Sequence, residues 1–308
     1  MTTSKLLTAT LPNGETAVLA AVDVLRVPHV EVFQADGRNE SEVLIQSRRD
    51  FAALLSEVHY AFSGVSSGGS ADVEIALELR WRSVRVEAQA HEADVRLTLA
   101  VRALGRDPRI VAERAEEVLR VLREGVGIAG YELGEVGIQE LSELVSPPAQ
   151  WKSVALLKEE WIEELQNQAV PYAYAFRPYG TEIEDLSRLS QALTATPDAA
   201  ISIQLIPTSY TGPERQALES TSLALANVGS SVAAAGGGAP MEFSGATRVG
   251  AIYDYYAANK DSPLFLHALI VSAKAGDIPV VAGRVLSQLT AVGGAPAARA
   301  VDVTEAAR

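Results

Sequence analysis

An α+β fold built from one unit used twice is what this sequence predicts, and three observations carry the prediction. First, "SADVEIALELRW" at 70–81 has a fainter copy, "TPDAAISIQLIPT", at 196–208. Asp72 precedes alternating Val73, Ile75, Leu77 and Leu79 in one, and Asp198 precedes Ala199, Ile201, Ile203 and Leu205 in the other. Second, two helix starts match. Asp107 with Pro108 leads to Val118, Leu119 and Leu122, and Asp277 with a proline soon after leads to Val285, Leu286 and Leu289. Third, the order strand, helix, strand, strand, helix, strand can be read in each half. That order is the ferredoxin-like β-α-β-β-α-β pattern, an antiparallel sheet with both helices on one face.

In the first half, "HVEVFQADG" (29–37) reads as a strand ending in turn residues. Phe51, Leu54, Leu55, Val58 and Phe62 fall at helical spacing over 47–62. "VEIALELRW" (73–81) alternates strictly, with Glu74, Glu78 and Arg80 on its water side. The apolar phase then moves to Val84, Val86, Ala88 and Ala90, which predicts a turn or bulge near Arg82–Ser83. A further alternating strand covers 93–105. A helix follows with Asp107 as N-cap and Ile110, Val111, Ala115, Val118, Leu119 and Leu122 as its stripe. "GYELGEVGI" (130–138) is the last strand.

In the second half, strands are expected at 172–180, 199–208, 263–276 and 298–306, and helices at 182–195 and 277–294. The copies part after their second strands. Residues 207–262 form a long insert that opens with a capping box, Thr211 and Glu214, at the start of a helix. A small, glycine-rich stretch (229–245) and a second helix follow. Between the copies, 147–168 reads as a helix after paired prolines, with Trp151, Val154, Leu157, Trp161 and Leu165 on one face. The expected division is a first unit over 1–146, a helical linker over 147–170, and a second unit over 171–308 carrying the insert 207–262.

A chain of 308 residues exceeds what one core usually takes. With 48% hydrophobic and 21% charged residues, it has the composition of a folded protein. There is no cysteine, which excludes disulfides and thiolate metal sites and fits a reducing, cytoplasmic compartment. The start lacks a basic segment followed by an apolar run, so no signal peptide is expected, and no apolar run approaches a membrane span. The formal charge of −13 repels phosphate backbones, so direct nucleic-acid binding is disfavoured.

Chemical motifs are weak throughout. "GVSSG" (64–68) matches a nucleophile elbow, but a helix precedes it and a strand follows, the reverse of the order that the elbow needs. "GGG" (236–238) lacks the lysine and hydroxyl of a phosphate loop. His29, His59, His91 and His267 have no shared metal spacing. Glu113, Glu116 and Glu117, and Glu159, Glu160, Glu163 and Glu164, sit among basic residues and read as solvated charge. No catalytic, cofactor-binding or metal-binding residue is therefore assigned. The candidate contact residues are Tyr253, Tyr255 and Tyr256 of "YDYY", because tyrosine offers area with a polar tip.

Residues 172–220 resemble the region preceding the motor in HerA/FtsK-type and type IV secretion-type ATPases of bacteria. Leu189, Leu193, Pro197, Ile201, Ile203, Leu205, Pro207, Thr208, Thr211 and Glu214 carry the resemblance, with a looser echo over 263–292. In those ATPases the region is associated with oligomer assembly and partner docking, so the resemblance implies a non-catalytic docking module. No Walker A, acidic Walker B strand or arginine finger is present to be carried over. The expected partners are proteins, further copies of the chain or an ATPase motor domain. Two other readings stay open: a small-molecule binder or enzyme with a pocket between two sheets, which His267 on an inward strand position would favour, and a structural component of a phage-like particle.

Overall fold

The computed structural model describes residues 5–26, 55–56, 59, 73–85, 93–128, 131–145, 148–164, 172–176, 193–234, 240–289 and 298–303. The strands are β1 (Leu6–Thr10), β2 (Thr16–Arg26), β3 (Val73–Arg85), β4 (Ala93–Gly105), β5 (Glu132–Glu135), β6 (Trp151–Lys158), β7 (Glu160–Glu164), β8 (Tyr172–Phe176), β9 (Ala199–Thr208), β10 (Leu264–Lys274) and β11 (Ala298–Asp302). The helices are α1 (Pro108–Ile128), α2 (Ile138–Val145), α3 (Gly212–Ala234), α4 (Pro240–Ala258) and α5 (Ile278–Gln288). The chain is thus a mixed α+β protein with an antiparallel sheet.

Nine strands form one sheet in the order β1-β2-β4-β3-β9-β10-β6-β11, and β5 lies along β2 beyond the end of β1. Every pairing is antiparallel. The halves meet where β3 pairs β9, from Leu77 opposite Leu205 to Arg82 opposite Ala200. One face carries a core that runs through this seam. It joins Val18, Leu77, Leu79 and Val101 to Ile201, Leu269 and Val271. α1 covers the first half of that face with Val111, Ala115, Val118, Leu119 and Leu122, and α5 covers the second with Val281 and Val285. The opposite face has its own smaller core, in which Leu141 and Leu144 of α2 pack on Leu19, Ala21 and Ala100. Helices therefore lie on both faces, not on one as expected.

Local signals explain several elements. The Asp107 carboxylate accepts from the Arg109 and Ile110 amides at 2.9 and 3.3 Å, so it caps α1 as its position predicts. Thr211 and Glu214 make the expected capping box: the Thr211 amide donates to Glu214 at 2.7 Å, and the Glu214 amide to the Thr211 hydroxyl at 3.4 Å. Asp277 stands at the N-cap of α5 without a side-chain cap bond. Its backbone carbonyl accepts from Val280 and Val281 instead.

Other expectations are corrected. The helix over 147–168 is two strands, β6 and β7. β6 is buried on both faces, with Leu156 against the α5 side and Trp151 and Ala155 on the other. Its apolar residues therefore do not alternate, and periodicity alone cannot separate such a strand from a helix. β2 has the same character, with Val18, Ala20 and Val22 on one face and Leu19 and Ala21 on the other. It takes the sheet position beside β4, whereas 29–37 lies outside the described residues. β8 pairs only with β7, in a separate ribbon, so β6 and not 172–180 begins the second half of the main sheet. α2, which the sequence did not suggest, follows a shortened β5. α3 and α4 extend into the glycine-rich stretch and leave 235–239 outside the described residues. Of the helices expected over 47–62 and 182–195, only residues 55–56, 59 and 193–194 are described, and these are helical.

No turn or bulge falls at Arg82–Ser83. β3 pairs β4 without a register shift from Val73 opposite Gly105 to Arg85 opposite Ala93. The apolar phase breaks because an inward position is polar. Ser83 is buried, its hydroxyl donates to the Thr196 carbonyl at 2.7 Å, and it accepts from the Ala199 amide at 2.9 Å. It thereby fastens the turn into β9, where Asp198 adopts φ 62° and receives Lys274 at 2.9 Å. An aspartate tolerates that left-handed backbone better than most residues. Ser83→Ala is expected to lower stability by about 1–3 kcal/mol, because it leaves buried backbone groups unpaired. Urea unfolding compared with wild type measures this.

Candidate functional site

The eight residues of α2 are too few to hold a helix in water, so tertiary contacts must do so. Leu141 and Leu144 supply the apolar contact, and charged side chains from the sheet grip both ends. At the N-terminus the Gly137 amide donates to Glu140 at 2.9 Å, and Glu140 pairs with Arg96 at 3.4 Å. At the C-terminus the Leu144 carbonyl has no helical partner and accepts from both Arg80 and Arg102, each at 3.1 Å. Arg82 pairs with Glu143 and stands 6.0 Å from the ring centroid of Trp151, which ties β6 to the cluster.

Glu78 is the buried centre of this arrangement at 1% exposure. Arg102 donates to it at 2.5 Å, and Arg80 lies 3.8 Å away, so one carboxylate is shared between two guanidinium groups. Arg80 is 7% exposed, and its Nε–H has no hydrogen-bond partner. Burial weakens the Arg80 guanidinium's hold on its proton, and Glu78 opposes that effect. Beside these groups the Thr98 hydroxyl donates to Asp23 at 2.5 Å. Burial holds the Asp23 carboxyl above the ordinary aspartate value, against the Thr98 bond that lowers it. Arg80, Arg82, Arg96, Thr98, Asp23 and Glu140 border a cavity of about 40 Å³. On the same face, Leu7, Leu11, Leu19, Leu104, Val145 and Ile206 line an apolar groove of about 350 Å³, with Glu74 and Arg102 as its polar members.

This buried cluster was not legible from the sequence. Glu78 and Arg80 sit on the face of β3 that alternation assigns to water, and only the docking of α2 buries them. The signal that was available is an excess of opposite charges on the two strands, with Glu74, Glu78, Arg80 and Arg82 on β3 and Arg96 and Arg102 on β4.

A second candidate surface is the helical hairpin of α3 and α4, which leaves the sheet after β9 and returns at β10. The two helices are fastened by Arg215 to Asp261 at 2.8 Å, by Ser222 to Asp254 at 2.6 Å and by the Lys260–Glu219 pair. Leu225 and Val249 are buried. α4 also touches the β7–β8 ribbon, and the Tyr253 hydroxyl donates to the Tyr174 carbonyl at 2.6 Å. The three predicted contact tyrosines therefore divide. Tyr253 is half-buried and holds the ribbon, Tyr256 is half-buried with its pKa raised by burial, and Tyr255 is 65% exposed. Tyr255 and Tyr256 meet edge to face at 5.9 Å between centroids. Leu223 and Tyr174, at 64% and 62% exposure, add apolar area to the same appendage.

The remaining motif residues are scattered. His59 is buried, with Nε2 2.7 Å from the Thr208 carbonyl and its ring edge-on to Phe265. His267 lies on β10, and its pKa is lowered by partial burial and then by the charge of Lys158. His29, His91, "GVSSG" and "GGG" lie outside the described residues. Glu113 and Glu117 pair with Arg109 and Arg114 along α1. Among the described residues, no group of three or more acidic or histidine side chains could hold a metal ion, and no helix is long and apolar enough to cross a membrane. No protein-family model matches the chain, and no curated protein matches it.

Glu78→Ala leaves two buried guanidinium groups facing one fewer charge and is expected to cost about 3–5 kcal/mol in urea unfolding. Asp23 gives a pH signature. A carboxyl whose folded pKa is raised contributes stability that is complete below its unfolded value and lost as pH rises through the folded one. The stability of wild type relative to Asp23→Asn is therefore expected to fall between about pH 4 and about pH 7, read by urea unfolding at several pH values. A difference independent of pH would exclude a raised pKa at Asp23.

Proposed function

We propose that this chain is a non-catalytic assembly and docking module made of two ferredoxin-like units, of the kind that precedes the motor in HerA/FtsK-type or secretion-type ATPases. Strand order supports the two-unit part of this reading. With β2, β3, β4 and β5 numbered one to four, their sheet order is 4-1-3-2, and β6, β9, β10 and β11 give the mirrored order 2-3-1-4. The resemblance residues Pro207, Thr208, Thr211 and Glu214 span the end of β9 and the capping box of α3, where the hairpin departs.

The observation that carries the docking part is the hairpin itself. It is a fastened pair of helices set at one end of a paired strand couple, and it presents Tyr255 and Leu223 to solvent. Exposed aromatic and aliphatic side chains on a supported element are the anchors that protein interfaces use. A partner here is a protein surface, either another copy of the chain or a motor domain.

Thr208 and Leu264 are directly opposed, so a short turn can replace 209–263 without disturbing the sheet. Light scattering across a concentration series tests the reading. The expected result is a concentration-dependent oligomer that the loop-replacement variant loses and that Tyr255→Ala with Leu223→Ala weakens about tenfold or more. A strict monomer that also fails to bind an ATPase motor domain overturns it.

The apolar groove supports a second reading, a small-molecule binder. Its volume of about 350 Å³ lies within the range of ligand pockets, and its lining is mostly apolar. Binding of an environment-sensitive apolar dye that Leu19→Arg abolishes is the outcome expected on that reading.

A further inference from the structure

The cavity beneath α2 combines an unmet hydrogen-bond donor with a local excess of fixed positive charge. Arg80 Nε–H is buried and unpartnered, and Arg80 borders the cavity. A guanidinium has five donors and does not give up its charge, so what Nε–H lacks is an acceptor. Around it, Arg80, Arg82, Arg96 and Arg102 face Glu78, Glu140 and Glu143, with Glu78 shared by Arg80 and Arg102. The fourth acid, Asp23, is engaged by the Thr98 hydroxyl. The volume, about 40 Å³, exceeds the roughly 10–15 Å³ that one water needs and suits a compact ion, not a nucleotide or a sugar phosphate.

We propose that this cavity binds one small monovalent anion of halide size, held by Arg80 Nε–H and the guanidinium groups of Arg82 and Arg96. The anion supplies the missing acceptor and balances the shared carboxylate. The site also has a built-in competitor. Asp23 shares the cavity with Arg80 and Arg82 from β3, Arg96 and Thr98 from β4, and Glu140 from α2. As a carboxylate Asp23 neutralises the same guanidinium charge that the anion uses. As a neutral acid it leaves that charge free and adds an O–H donor. Anion uptake is therefore coupled to uptake of a proton at Asp23 and strengthens as pH falls.

Thermal unfolding of the full chain in sodium chloride against sodium gluconate, at matched ionic strength of about 0.2 M, tests this. The expected result is a chloride-specific rise in Tm of about 2–4 °C near pH 5 that shrinks near pH 8. Asp23→Asn, which stays neutral, keeps the rise at both pH values. Arg80→Lys, which keeps the charge but lacks Nε, loses it. Crystals soaked in bromide should show anomalous density between Arg80 and Arg96. Equal Tm values in chloride and gluconate for both wild type and Asp23→Asn, or a water in place of bromide in the cavity, would overturn the proposal.

Discussion

Backbone hydrogen bonds between β3 and β9 hold two sets of strands in a single sheet, and most of the other contacts depend on that pairing. Without it each set would end in an unpaired edge near the middle of its own core. With it, Leu77, Leu79 and Trp81 stand opposite Leu205, Ile203 and Ile201, and the apolar face continues from α1 to α5. The same register sends Glu78, Arg80 and Arg82 to the other face, beside Gln204, Ser202 and Ala200. Ser83 marks the end of the seam. Its hydroxyl turns an inward position into a clamp on the chain entering β9.

The second face is polar where the first is apolar, and it is closed by other means. α2 covers only the part over β2 and β4, with Leu141 and Leu144. Its position depends on arginines that come from the sheet to satisfy a helix-end carbonyl. Buried charge of this kind is costly unless paired, and most of the pairing is present. The one group left short, Arg80 Nε, is therefore informative about what the site lacks.

Much of the fold was legible in the sequence, and the reasons are specific. β3, β4, β9 and β10 were read near their observed bounds, because three of them alternate clearly and β10 is bounded by turn residues. α1 and α3 were read because their caps, Asp107 and Thr211 with Glu214, are local hydrogen bonds between residues two or three apart. β2 and β6 were missed because both are covered on two faces, which erases alternation. α2 was missed because it is too short for periodicity to show. The candidate contact tyrosines were placed on a real helix, but only Tyr255 is exposed, since the neighbouring ribbon covers the others in part.

The sequence by itself determined the class of fold, the order of most elements, the helix caps and the presence of an insert after the second repeated strand. These are properties of residues close together in the chain, where spacing and capping chemistry act directly. The tertiary structure decided which face of each strand meets water, which strand begins the second half, and which charges are buried. Those depend on elements distant in sequence. Glu78 becomes a buried carboxylate only because α2, some sixty residues later, settles over it, and no local pattern around Glu78 carries that information.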